Sequence, residues 1–469
     1  MKLRNTAIAL GVGAATASGL SLLKVNKEVV VGSTAVVVVG AFLISDKKFS
    51  EKSTYKTADE SDKEELQEFF WLLGKDQKDS GKIEEALASF NKALEINPKN
   101  IYALNSRGHC FHELKNYGQA IEDYTNALEI DPNDSLVLRN RANSRCELDD
   151  YENAIFDLNK VIKLESIKGT DISPYLIQRA ISKVYLNELE DAIEDFTQVL
   201  KKNSEDYETF YLRGLALADA GNNDEAIADF TKAIALNSDY EQAFFNRALS
   251  KDSISDYEGS IDDLNKTIAL NPKNAEAFNI RGLTKYRDTD DWDGAVEDFK
   301  KAIEIDPSFA RAFYNLGDIV YDIGVERDSN EKEKMEEAIE YFTKALELDP
   351  TIEEAYRFRE WSLRRIGRHQ EAVDDCKKLI DIDSENGEAY QELGLNQKEL
   401  KEFDSAIKNL TKSIELLENE EYSEIASSYL LRGEAKKGLG DLKGACEDWK
   451  KAAELGNEEA AKLLEEHCE

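Results

Sequence analysis

The 469-residue sequence predicts an all-α fold, an array of about eleven antiparallel helical hairpins. Three recurrences carry that expectation. From about Gln67 onward a small residue returns at Ala86, Ala120, Ala154, Ala192, Ala226, Ala295, Ala338, Ala372, Ala406 and Ala445, with Ser260 in the one gap, and the dominant spacing is 34 residues. Four residues after it stands an aromatic, as at Phe90, Tyr124, Phe196, Phe230, Phe299, Phe342 and Trp449. Typically twelve residues before it stands another small residue, as at Gly74, Gly108, Gly214, Gly282, Gly317, Gly394 and Gly433, so two helices of one hairpin approach closely. Five of the six prolines, Pro98, Pro132, Pro272, Pro307 and Pro350, fall at one late position, where a second helix cannot continue.

The chain begins differently. Thr6 to Leu23 and Val29 to Ser45 are two stretches without a charge, each near the shortest length that crosses a bilayer as a helix. Between them lies Lys24-Val25-Asn26-Lys27-Glu28, and a charge at the bilayer centre costs roughly 2.5 to 3.5 kcal/mol. Residues 1–48 are therefore expected to form a membrane-anchoring helical hairpin with these lysines at its tip. Lys2, Arg4, Lys47 and Lys48 at its ends place both ends in the cytoplasm by the positive-inside tendency. Gly11, Ala15 and Gly19 share a face on which a second helix packs. The same basic start, apolar run and Ala15-Thr16-Ala17 also suit a cleaved secretory signal, which would leave one anchor and export the body. Interfacial attachment is the third reading. Residues 49–66 read as a charged flexible linker.

Within residues 67–456 the 34-residue period and its fixed small and aromatic positions resemble the tetratricopeptide repeat family. That resemblance implies a right-handed superhelical solenoid whose first helices line a concave groove for a protein or extended peptide partner. Projected onto this chain, the groove carries Ile177, Ile181, Tyr211, Leu215, Phe245, Leu249, Leu283, Tyr314 and Tyr321. The alternative for each is packing between neighbouring first helices. A clamp for a terminal carboxylate, known in the family's chaperone adaptors, is incomplete: Arg139 and Asn143 fit, but Gln178, Glu208 and Leu212 follow. Longer repeats place loops near residues 166–170, 327–334 and 420–425, and residues 457–469 read as a capping helix with Leu463 and Leu464 on one face.

One departure from the family is systematic. Arg107, Arg141, Arg179, Arg213, Arg247, Arg281, Arg359 and Arg432 stand where leucine is usual, just before the first helix's small residue. Each of these hairpins also has an aspartate in its second helix: Asp123, Asp157, Asp195, Asp229, Asp263, Asp298, Asp375 and Asp448. The three hairpins with Leu73, Leu316 or Leu393 carry Ser89, Tyr341 or Asn409 instead. The co-occurrence predicts a structural ion pair inside each hairpin, since a partly buried guanidinium is best held by a carboxylate. The ninth hairpin breaks the pattern, with Glu360 at the small position and Cys376 at the aromatic one. Arg357, Trp361, Arg364, Arg365 and Arg368 around them form a candidate patch for an anionic partner, unless neighbouring acids neutralise them.

Composition narrows the function classes. With 95 acidic against 60 basic residues and a net charge of -35, the chain is unsuited to phosphate backbones. There is no His-Glu-x-x-His, no phosphate loop with its lysine, no nucleophile elbow, and Gly11-Val12-Gly13 lacks the third glycine of a dinucleotide fingerprint. Neither enzyme activity, a small-molecule substrate nor a cofactor is expected. His109, His112 and Cys146 approach one another on adjacent first helices without completing a metal-ligand set. The five cysteines are odd in number and scattered, which suggests free thiols and a reducing compartment. The functional expectation is a membrane-tethered scaffold that recruits partner proteins on the cytoplasmic side. An exported scaffold for envelope assembly or secretion, or a regulatory subunit of an enzyme, is the alternative.

Overall fold

The computed structural model describes residues 60–326, 330–417 and 422–468. The expected membrane hairpin and most of the linker lie outside these residues. Among the described residues there are 23 helices and no strand, and no helix is long and apolar enough to cross a membrane. Helices α1 (Glu60–Asp79) to α22 (Leu442–Glu454) pair in order as eleven antiparallel hairpins, and α23 (Glu458–His467) follows them. The chain falls into two compact units, one ending at Ala243 and the other starting at Phe244.

The unit ending at Ala243 holds hairpins one to five: α1 with α2 (Ile83–Ile96), α3 (Ile101–Glu113) with α4 (Tyr117–Ile130), α5 (Ser135–Cys146) with α6 (Tyr151–Lys168), α7 (Ser173–Tyr185) with α8 (Leu189–Lys202), and α9 (Tyr207–Asp219) with α10 (Asn223–Leu236). Its first helices start where Asn100, Asp134 and Asp206 accept a hydrogen bond from the backbone N–H three residues on, which satisfies an otherwise orphaned donor. Each hairpin closes on a left-handed residue, Gly81, Lys115, Asp149, Asn187 and Gly221 in turn. The contact that defines the hairpin lies between the small position and the aromatic. A Cβ on Gly214 would stand 2.7 Å from the Phe230 ring, so glycine there is a condition of close approach. Ala226 and Phe230 have no exposed surface.

The unit from Phe244 onward continues from α11 (Glu241–Ser253) with α12 (Tyr257–Leu270), then α13 (Ala275–Asp288) with α14 (Trp292–Ile305), and α15 (Ala310–Glu326) with α16 (Glu331–Leu348). It ends with α17 (Glu353–Arg365) and α18 (His369–Ile382), α19 (Gly387–Glu399) and α20 (Phe403–Leu417), and α21 (Tyr422–Gly438) and α22. Asn457 caps α23, whose Leu463 and Leu464 cover Trp449 and Ala445 of the last hairpin.

Four expectations are corrected. The last residues assigned to the linker, 60–66, are helical, because Leu66 packs into the apolar cluster of Phe70 and Leu104. Of the three expected loops, Ser166–Lys168 extends α6 to a left-handed Gly169 cap, and Tyr422–Ile425 already belongs to α21. Of the insertion near 327–334, residues 331–334 belong to α16. The cysteines are not all free: a disulfide joins Cys446 on α22 to Cys468 just after α23, because the cap folds back until their Cα atoms are 5.7 Å apart. Cys110, Cys146 and Cys376 remain thiols.

Candidate peptide-binding surface

All eight arginines of the regular ladder reach the aspartate of their own hairpin in a two-pronged bond. Nε and Nη2 donate to the two carboxylate oxygens at 2.5 to 2.9 Å in every case. The aspartates are buried, Asp157 completely. Burial holds the Asp123 and Asp375 carboxyls above their ordinary range even though Arg107 and Arg359 pull the other way. Five aspartates also meet a second cation one turn further along the first helix: Arg145, Lys183, Lys251, Lys285 or Lys436. Two of the leucine-containing hairpins replace charge by neutral bonds, with Ser89 donating to Gln77 and Asn409 to Gln397, both at 2.6 Å.

Sequence reasoning missed the third nitrogen of the guanidinium. Nη1 reaches back to the preceding hairpin, from Arg107 to Asn91, Arg141 to Thr125, Arg179 to Asn159, Arg213 to Thr197, Arg281 to Asn265, Arg359 to Thr343 and Arg432 to Thr411. The residue it reaches stands two positions after that hairpin's aspartate position. A signal was present in the sequence: ahead of Leu316 and Leu393 this place is held by Lys300 and Lys377, which would repel an arginine.

The residues projected onto the groove divide by burial. In the first unit Tyr211 and Leu215 are buried, and Tyr211 packs on Tyr240 and Phe230 with ring centroids 4.9 and 5.9 Å away. Ile177 and Ile181 are half-buried against the same cluster. In the second unit Tyr314 is buried, while Phe245, Leu249, Leu283 and Tyr321 keep part of their surface. Tyr321 and Phe358 lie 5.7 Å apart, and Phe358 and Trp361 5.0 Å, so aromatic packing joins α15 to α17. The buried members of the set are thus packing residues, and the half-buried ones combine packing with exposed surface.

In the ninth hairpin the arginines of the patch all have acids beside them, the alternative that the sequence left open. Arg357 faces Glu388 at 3.8 Å, Arg365 faces Glu331 at 2.5 Å, and Arg368 grips Glu371 with two bonds. Arg364 lies 3.4 Å from Glu360 and 3.5 Å from Glu392. An anionic partner would have to displace these carboxylates. What remains between α17 and α19 is a cavity of about 330 Å³ with Glu360, Trp361, Glu388 and Glu392 in its lining.

Glu360 is only 1% exposed, and burial, reinforced by Glu392 and opposed by Arg364 and Asn396, pushes its carboxyl up to about 8. Below about pH 4.5 it is protonated in the folded and unfolded chain alike. As pH rises toward 8 the unfolded chain gives up this proton first, so stability is lost progressively through that window. The expected result is a melting temperature that falls between about pH 5 and about pH 9, with Glu360→Gln removing part of the fall. A slope unchanged by the substitution would refute this assignment.

The two histidines are tied locally, His109 to Glu113 at 2.9 Å and His112 to Ser144 at 2.9 Å, and Cys146 contacts Ser182. Gln178 donates to Asn143, which occupies one position of the incomplete carboxylate clamp.

Residues 74–115 and 284–324 match a family described as TPR repeat, and residues 101–134, 177–241, 330–352 and 387–419 match families described as Tetratricopeptide repeat. The chain is a tetratricopeptide repeat protein. No curated protein matches it. Among solved structures, MamA is 28% identical, with 36% of this chain and 94% of that one covered at a TM-score of 0.33. The C-terminal part of a TPR repeat-containing protein from Cytophaga hutchinsonii is 19% identical, covering 54% and 97% at 0.45. Yeast Tom70 is 17% identical, covering 86% and 96% at 0.36. In this tetratricopeptide repeat protein the arginine ladder belongs to the frame, and the first helices keep a half-buried apolar face.

Proposed function

We propose that this tetratricopeptide repeat protein is a non-catalytic scaffold that holds partner proteins through extended segments lying along its first helices, within a right-handed superhelical array. The observation that carries the reading is the half-exposed apolar row of Ile177 and Ile181 in one unit and Phe245, Leu249, Leu283 and Tyr321 in the other. Within each unit such residues offer apolar anchors to an extended chain. The uncharged stretches within residues 6–45 support tethering to a membrane, with the array on the cytoplasmic side.

A second reading, an exported and singly anchored array, is favoured by the Cys446–Cys468 disulfide, since disulfides persist mainly in oxidising compartments. A reporter fused after residue 48 separates the two. Activity of a reporter that folds only in the cytoplasm supports the first, and activity of one that folds only outside supports the second. For the scaffold itself, a photo-crosslinking residue placed at Ile181 or Leu249 should trap one discrete partner band in cells. The same residue at Phe156, exposed on a second helix, should not. Equal trapping from all three positions would refute a partner surface on the first helices.

A further inference from the structure

The ninth hairpin exchanges two volumes at once. Elsewhere a small residue on the first helix lies against a large one on the second, but here Glu360 takes the small position and Cys376 the large one. The glutamate stands where Gly317 faces the Phe342 ring in the eighth hairpin and Gly394 faces Leu410 in the tenth, and both Glu360 and Cys376 are buried. Its Oε1 accepts a 2.5 Å hydrogen bond from Asn396 Nδ2. Its Oε2 has no hydrogen-bond partner, and neither has Glu392 Oε2 or Arg364 Nε. The contacts of Arg364 with the two carboxylates, at 3.4 and 3.5 Å, are ion pairs without hydrogen-bond geometry. The buried Glu360 carboxyl and the partly exposed Glu392 carboxylate, whose Oε2 is buried, therefore share one loosely held guanidinium at the wall of the cavity. Leaving a buried charged group unbonded is costly, and an incoming donor would remove that cost.

We propose that this cavity receives one cationic side chain, an arginine or lysine, from an extended partner segment lying along the first helices of the second unit. Glu360 and Glu392 accept its hydrogen bonds, and the Trp361 ring in the cavity lining offers a face to the cation. Charge complementarity selects this occupant: the lining holds Glu360, Glu388 and Glu392 against Arg357, and Arg364 is the other cation in contact. The proposal rests on the scaffold reading above and gives the partner its chemistry.

Entry of the cation favours the ionised form of Glu360, so binding releases a proton near neutral pH and tightens as pH rises. The groups facing that carboxyl are Arg364 on its own helix, Glu392 on α19, itself beside Glu388, and Cys376 on α18, with His369 of α18 reaching it through Asn396. General attraction of basic peptides to a body of net charge -35 would have no fixed register.

The test is selection of random linear peptides displayed on phage against the full-length chain and three variants. Glu392→Gln removes one acceptor, and Glu360→Gly with Cys376→Phe rebuilds the ordinary hairpin and fills the cavity. Glu347→Gln makes the same charge change as the first at an exposed site paired with Lys344. The native chain and Glu347→Gln should enrich peptides with arginine or lysine at one register, and a selected peptide should bind the other two variants at least about tenfold more weakly. Thermal melts check that each variant is folded. A consensus without a basic residue, or basic enrichment shared equally by all four proteins, overturns the cationic site and leaves the scaffold standing. Failure of every protein to enrich any sequence overturns both.

Discussion

Replacing Asp229 by alanine should destabilise the fifth hairpin by about 3 kcal/mol, whereas Arg213→Leu combined with Asp229→Ala should cost much less. In the native chain Nε and Nη2 of Arg213 hold the two oxygens of Asp229 at 2.7 and 2.8 Å, and the aspartate side chain is 7% exposed. Removing the acid leaves the guanidinium, itself 20% exposed, without its counter-charge. Exchanging both residues for neutral ones relieves that penalty, as the sequence itself does at Leu73 and Ser89. Repeat arrays do not unfold as one cooperative block, so the measurement is hydrogen exchange resolved to α9 and α10. Equal loss of protection in the single and double variants would show that the two residues do not act as a pair.

The second large effect is expected at Cys376. Cys376→Phe should cost about 3 kcal/mol, because the ring would have to displace the buried Glu360 side chain toward the cavity that both residues line. Glu360→Gly should recover most of that loss, since a glycine at this position is what lets the ring seat in other hairpins. A Cβ on Gly317 would lie 2.7 Å from the Phe342 ring, and one on Gly433 2.6 Å from Trp449. Denaturation of the three proteins measures the coupling. Tolerance of phenylalanine without the glycine would mean that Glu360 does not fill the aromatic site.

The hairpins were legible because each needs the same few residues. A ring cannot seat on a first helix unless a small side chain faces it, and that demand repeats along the chain. Arg213 and Asp229 were legible through their shared exceptions, since a buried charge rarely persists when its partner is lost. The bond from Arg213 to Thr197 was not read, although Lys300 and Lys377 ahead of the two later leucine-containing hairpins marked the position. A threonine on a helix surface has many uses, and only coordinates show which atom it meets. The disulfide was missed because Cys446 and Cys468 carry no spacing signature, and the return of the cap helix is a tertiary event. Groove and packing residues also look alike in sequence: Leu215 and Leu283 each directly follow the small glycine of their first helix, yet the first is enclosed and the second half-open.

The leucine at position 393 has a mechanical corollary. Elsewhere a guanidinium commonly rivets a hairpin to the one before it, but between the ninth and tenth no such rivet exists. Polar attachment there runs through Asn396 to Glu360 and His369, Arg364 to Glu392 and Arg357 to Glu388. Whatever rearranges those contacts acts on the joint itself.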